Sequence, residues 1–192
     1  MPPKQRFSKE DILKTSFQLV REHGIDNLNA RSIAKRLRSS TQPVFSYYEN
    51  MADLKNDLFA MVNEYHSRYF DKVETGENLF LNVGMAYVDF AIEEPNLFCM
   101  LFMSNNYDGK KLNEPVTDDC NEHIKSAIPI IFDQDMEESN RVFTDMWLYA
   151  HGIASMIVMN QLTIERSEIK SMLKNLFSLL TSRQTEGNSE NV

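Results

Sequence analysis

Apolar residues recur along the chain three and four positions apart, and no run alternates strictly between apolar and polar within turn signals. The first spacing builds one face of a helix and the second would build a half-buried strand, so the pattern predicts helices and no sheet. The first helix opens at Ser8, where Ser8 and Asp11 form a capping box with Asp in place of Glu. Its apolar positions are Ile12, Leu13, Phe17, Leu19 and Val20, and His23-Gly24 ends it. Asn29 caps a second helix over 30–37 with Ile33, Ala34 and Leu37 facing inward. A short helix over 40–47 has Ser40 as its N-cap and Pro43 in its first turn, where a missing N–H costs nothing. Asn50 and Asp53 begin a longer helix through Leu54, Leu58, Met61, Val62 and Tyr65 to about Val73, broken by TGEN at 75–78. Further helices are predicted over about 78–94, 95–104, 115–133 (with a break at Pro129), 136–160 and 163–183. No internal repeat is visible.

Length bounds the architecture: 192 residues suffice for one large core or two smaller ones. With 42 % hydrophobic and 25 % charged residues the composition is that of a soluble globular protein. The longest apolar run is too short to predict a membrane span, and the N-terminal MPPKQRFSKEDIL lacks the apolar stretch of a secretory signal. Cys99 and Cys120 are too few for a disulfide framework and fit a reducing, cytoplasmic location. Charge changes the picture more. Residues 1–59 hold ten Lys and Arg against seven Asp and Glu, a net of +3, whereas residues 60–192 carry a net of −11. The N-terminal end can face a polyanion while the rest repels it, so the chain divides into two functional regions.

Two short helices joined by a tight turn and braced by a third form a helix-turn-helix. Here the brace is 8–23, the first helix 30–37, the turn Arg38-Ser39 and the recognition helix 40–47. The start of a recognition helix points at base edges, which makes Thr41 and Gln42 the candidate readers, with Ser40 and Pro43 starting and stiffening the helix. Gln pairs bidentately with adenine, and the Thr methyl can touch a thymine methyl. Tyr47 and Ser46 are expected to donate hydroxyl hydrogen bonds to phosphate, and the helix start at Ala30-Arg31 to donate backbone N–H groups. Val44, Phe45 and Tyr48 are expected to hold the helix to its domain.

The stretch from about Phe7 to Phe59, above all "LNARSIAKRLRSSTQPVFSYYENMADL", resembles the DNA-binding domain of TetR-type transcriptional regulators. Ser40, Val44, Tyr47, Tyr48 and Leu54 fall on that family's pattern. Three positions depart from it. Arg38 and Ser39 stand where the family has Gly then Val, at a place that often requires positive φ. Phe45 replaces a Tyr and loses a phosphate hydroxyl. Met51 replaces a Lys, for which Lys55 one turn later can substitute. Fewer phosphate contacts imply weaker binding with a shallower salt dependence.

The resemblance and the helical pattern together give an all-α fold: an N-terminal three-helix DNA-binding domain plus a C-terminal helical ligand-binding and dimerisation domain. The expected divisions are 1–50 for the DNA-binding domain, 51–73 for a connecting helix, 74–184 for the ligand-binding and dimerisation domain and 185–192 for a flexible tail. Half-site recognition needs a dimer, and Ile169, Met172, Leu173, Leu176, Phe177 and Leu180 form a stripe suited to a four-helix interface. An intramolecular core is the competing reading of that stripe. Phe98, Phe102, Met103, Trp147 and His151 are candidates to line an apolar effector pocket. "WLYAHG" at 147–152 resembles the Trp-His-Gly signature of one subset of these regulators, with Gly152 expected to permit close helix approach. In the family a ligand in the body shifts the two DNA-binding domains, and loop 104–111 is the expected soft segment.

No Gly-rich phosphate loop, nucleophile elbow or HExxH is present, so no enzyme, catalytic residue or cofactor is expected. Asp119, Cys120 and His123 fall within one helical turn but are too few for a metal site, and no metal is assigned. The expected function is that of a homodimeric regulator, a repressor, which binds a palindromic double-stranded DNA operator and leaves it on binding a small apolar or amphipathic effector of unknown identity. The alternative is a dimeric helical interaction protein that has lost operator binding.

Overall fold

The structure, a computed structural model, describes residues 7–74, 76, 78–103 and 136–187. Among them every regular element is helical. The elements are α1 (Lys9–His23), a 3-10 turn (Ile25–Asn27), α2 (Ala30–Leu37), α3 (Gln42–Phe45), α4 (Met51–Ser67), α5 (Leu79–Glu93), α6 (Pro95–Phe98) running into a π-turn (Cys99–Met103), α7 (Met136–Val158) and α8 (Arg166–Gly187). The helix expected at 115–133, the loop at 104–111 and the Asp119, Cys120 and His123 group lie outside the described residues.

Boundaries differ from the sequence reading where local chemistry decides them. The fourth helix ends at Ser67 instead of about Val73, and a series of turns follows in which Phe70 N donates to Ser67 O and Val73 N to Phe70 O. α3 is a four-residue helix, and its cap residue is Thr41, with no side-chain cap bond. Ser40, expected as the cap, instead accepts a long 3.4 Å bond from Gln42 N. α8 continues to Gly187, beyond the expected end near 183.

The described residues pack into two compact units: 7–66 with 94–103, and 67–93 with 136–187. The chain thus leaves the first unit before α5 and re-enters it at α6, a return that the pattern of helices alone does not reveal. In the first unit α1 packs on α2, α3 and α6. Ile12, Val20, Ile33, Val44, Leu54 and Leu58 form its core. In the second, α5 packs on both α7 and α8. Ten positions of α5 are buried, spread around the helix, as expected of an element covered on more than one side. Phe80 stacks on Phe177 at 5.3 Å and meets the edge of Phe143. Gly84 lets α8 come close: a Cβ there would lie 3.2 Å from Leu173 Cδ1.

Candidate nucleic-acid interface

The expected reading turn, residues 38–47, is fixed from both ends by short-range chemistry. At α1 Ser8 Oγ accepts from Asp11 N while Asp11 accepts from Ser8 N, the predicted capping box. Asn29 and Ser32 reciprocate in the same way at the start of α2. α2 stops because Arg38 adopts the left-handed conformation (φ 51°, ψ 48°), with Ser39 N donating to Ala34 O at 2.9 Å. This is the position where the sequence departs from Gly, and the residue takes the glycine conformation all the same, at a cost of about 1–2 kcal/mol. Asn50 Oδ1 accepts from Ala52 N and Asp53 N and starts α4.

Between these caps α3 is clamped to its neighbours. Val44 and Tyr48 are buried, as their i, i+4 spacing required. Tyr48 Oη donates to Asp57 at 3.1 Å, and Lys9 pairs with the same carboxylate at 2.6 Å while lying 5.0 Å over the Tyr48 ring. The Lys9 bond holds the Asp57 carboxyl below the usual range, and burial pushes the Tyr48 phenol up. This three-residue link joins α1, the segment just after α3, and α4, and no local sequence signal announces it.

Three expectations for the reading turn change. Tyr47 Oη donates to the Phe7 carbonyl at 3.1 Å, so the expected phosphate donor is engaged within the protein. Ser46 Oγ donates to Gln42 O at 2.9 Å, inside α3 itself. Phe45, expected to pack inward, is 50 % exposed. It lies on the outer side, while Val44 and Tyr48 occupy the buried side of this segment, where α3 packs on α1 and α2.

Gln42 is exposed, and Thr41 and Pro43 are half-buried. Ser40, Arg31, Arg38 and Lys55 are exposed and Ala30 is half-buried. Other cations of this unit are matched by acids: Arg36 forks onto Glu22 at 2.5 and 2.6 Å, and Lys14 pairs with Glu10 at 2.6 Å. Arg21 grips the buried Glu94 with two bonds, and Tyr65 donates to the same carboxylate at 3.0 Å. Arg31, Lys35, Arg38 and Lys55 form no ion pair among the described residues. Arg31 and Lys35 are four positions apart on one side of α2, and Arg38 follows at its left-handed end. Lys35 is a candidate contact that the sequence reading misses; its spacing from Arg31 is the available signal.

The other predicted site residues fall in both units. Phe98 is fully buried, Phe102 half-buried and Met103 exposed, all in the first unit, where Phe102 meets the edge of His66 at 5.2 Å. Burial lowers the His66 pKa to about 4. Trp147 and His151 lie in the second unit, their rings stacked at 5.2 Å. Tyr87 Oη is 2.8 Å from His151 Nδ1, and burial lowers the imidazole pKa. Ile169 and Leu173 are wholly buried in the core of their own chain, while Met172, Leu176, Phe177 and Leu180 are half-buried. The stripe therefore divides: Ile169, Leu173 and the Phe177 ring stacked on Phe80 pack within the chain, and Met172, Leu176 and Leu180 remain partly accessible. Leu148 and Met156 on α7, Met159 just after it and Leu179 on α8 are exposed, and the sequence does not single them out. Gly152 lies on the same outer line with open space where a Cβ would be, so within the chain it does not serve close approach.

Among the described residues no three metal-ligating side chains come together, and no helix is long and apolar enough to cross a membrane. A depression of about 320 Å³ in the second unit is lined by Lys72, Lys170, Arg166, Asp89 and Glu74. Arg166 forks onto Asp89 there at 2.8 and 2.9 Å, so its charges largely offset one another.

No protein-family model and no curated protein matches the sequence. Solved structures do. A protein of unknown function from Rhodococcus sp. RHA1 superposes with a TM-score of 0.62 at 16 % identity, over 91 % of this chain and 96 % of that one. A member of the TetR family from Streptomyces coelicolor A3 gives 0.58 at 13 % identity, covering 91 % and 98 %. A TetR transcriptional regulator from Rhodococcus sp. RHA1 gives 0.52 at 14 %, covering 91 % and 96 %. The chain therefore has the all-helical fold found in TetR-family regulators, over nearly its whole length.

Proposed function

We propose that the protein is a DNA-binding transcriptional regulator of the TetR type, which acts as a homodimeric repressor on a palindromic operator and is released by a small apolar or amphipathic effector. The observation that carries this reading is the reading turn: Gln42 stands exposed just after the left-handed Arg38, in a unit where Arg31, Lys35, Arg38 and Lys55 have no acidic partner among the described residues. Four uncompensated cations beside an exposed amide suit a polyanion with readable edges. Thr41 supplements Gln42, and Ala30, Ser40 and Pro43 set the approach. Phosphate contact falls to the cations, since the Tyr47 and Ser46 hydroxyls donate within the protein.

Two half-sites require two reading turns, and the outer faces of α7 and α8 supply the dimer seam. Leu148, Met156, Met159 and Leu179 are exposed, with the half-buried Met172, Leu176 and Leu180 on α8 and Gly152 giving room for a partner helix. The effector reading rests on the Trp147, His151 and Tyr87 group, which offers a stacking face and a hydrogen-bonding imidazole to a planar, partly polar molecule. Trp147 is the sole tryptophan, so its emission reports that site directly. A saturating effector that leaves the emission unchanged places binding elsewhere.

The decisive experiment is selection of bound duplexes from a random pool at two salt concentrations. A palindrome should be enriched, with steep loss of affinity at the higher salt. Gln42→Ala should then relax preference at one base pair per half-site, at a cost of about 1–3 kcal/mol per contact. The alternative, a dimeric interaction protein that reads no DNA, draws on the two internally committed hydroxyls and on Met51 at the start of α4. It predicts no enrichment at either salt.

A further inference from the structure

We propose that Phe45 is a specificity-determining residue whose ring packs against the 5-methyl group of a thymine in each half-site. The inference rests on the reading of α3 as the DNA-facing element. Phe45 follows Gln42 by three positions, so ring and amide are neighbours on the outer surface of a one-turn helix. The ring is 50 % exposed while Val44 and Tyr48, on either side, are buried. The benzyl group is therefore presented outward, beside the candidate reader and away from the core.

The chemistry left on this surface narrows what the ring can recognise. Phe45 has no donor, so it cannot bind phosphate by a hydrogen bond as a tyrosine there would. The neighbouring hydroxyls of Ser46 and Tyr47 are satisfied by Gln42 O and Phe7 O, which leaves an apolar patch next to one amide. Base edges in the major groove display polar donors and acceptors and one methyl group, that of thymine. Apolar wedges that part base steps enter from the minor groove, whereas a helix-turn-helix places its second helix in the major groove. Together Gln42 and Phe45 would read adjacent features, one by hydrogen bonds and the other by excluding water from a methyl.

The test uses the full-length protein and the duplex obtained by selection from a random pool. Each thymine is replaced singly by deoxyuridine, which removes only the methyl. The wild-type protein should lose about fourfold in affinity per half-site at one thymine position, the worth of one buried methyl. Phe45→Ala should bind the thymine and uracil duplexes equally, and Phe45→Leu should keep part of the discrimination. Thermal unfolding of both variants checks that the half-exposed site tolerates them. Indifference of the wild-type protein to every replacement overturns the proposal, as does a selected site without thymine or a Phe45→Ala variant that keeps the wild-type discrimination. Enrichment of a palindrome with no uracil effect removes only the role of Phe45. Failure to enrich any sequence removes that role and the DNA-binding reading together.

Discussion

The two units of the molecule are held together by different forces. The first relies on directional polar links: the capping boxes of α1 and α2, the Asn50 cap, the Lys9, Asp57 and Tyr48 clamp, and Glu94 gripped by Arg21 and Tyr65. The second relies on apolar contact of α5 with α7 and α8. Helix length accounts for much of the contrast. α2 has eight residues and α3 four, too few to be stable alone or to fix their own orientation by buried area. Caps and ion pairs supply the orientation instead, and orientation is what a reading surface needs. The long α7 and α8 bury one face inside the chain and still carry exposed apolar residues on the other.

The largest effects should come from separating the inner and outer faces of α8. Leu173 is fully buried against α5, so Leu173→Ala should cost about 2–5 kcal/mol of folding stability. Leu179 is 66 % exposed, and Leu179→Ser should leave the folded protomer intact while weakening self-association. Chemical denaturation and sedimentation read the two quantities independently. If Leu179→Ser unfolds the protomer, or if it self-associates as strongly as the wild-type protein, the division of the stripe into inner and outer edges is wrong.

A second effect blurs the contrast, because the first unit also buries a titratable ring without relying on its charge. His66 has a folded pKa of about 4 against an unfolded value of 6.5. Above pH 6.5 the ring is neutral in both states and the fold keeps its full stability. As pH falls from there toward 4 the unfolded chain takes up the proton and the folded chain does not, so stability drops by up to about 3 kcal/mol and then levels off. His66→Phe should remove that part of the pH dependence, measured as the difference between the two denaturation profiles. Parallel profiles between pH 7 and pH 4 would mean that His66 takes up its proton as readily in the folded chain as in the unfolded one.

How much of this is legible in the sequence follows from the range of the forces. Caps and helix faces are local, so Ser8 with Asp11, Asn29, Asn50 and the burial of Val44 and Tyr48 can be read from spacing. The chemistry of Arg38 is legible too, since a tight turn after α2 demands a left-handed residue whatever its type. Long-range choices are not. Nothing near Tyr47 signals that the Phe7 carbonyl, 40 positions away, takes its hydroxyl. Nothing near Glu94 signals that Arg21 returns that segment to the first unit. Phe45 reads wrongly because an aromatic beside two core residues looks like core until helix geometry assigns it a side. Ile169 and Leu173 read as interface because an apolar stripe does not say whether its cover belongs to the same chain.

The smallest expected effect tests the one place where local strain and electrostatics meet. Arg38 combines a left-handed backbone with an exposed cation lacking an acidic partner among the described residues. Arg38→Ala and Arg38→Gly remove the same charge and differ only in backbone freedom. Both should weaken operator binding, and the slope of log affinity against log salt should become shallower by about 0.9 for each phosphate that is no longer neutralised. In stability they should part: Gly relieves about 1–2 kcal/mol of left-handed strain at an entropic cost of about 0.5–1 kcal/mol, whereas Ala keeps the strain. The Gly variant should therefore be the more stable of the two by roughly 0.5–1 kcal/mol. Equal stabilities would show that the turn relaxes out of the left-handed region, and an unchanged salt slope in both would remove Arg38 from the phosphate-binding set, leaving Arg31, Lys35 and Lys55 to carry it.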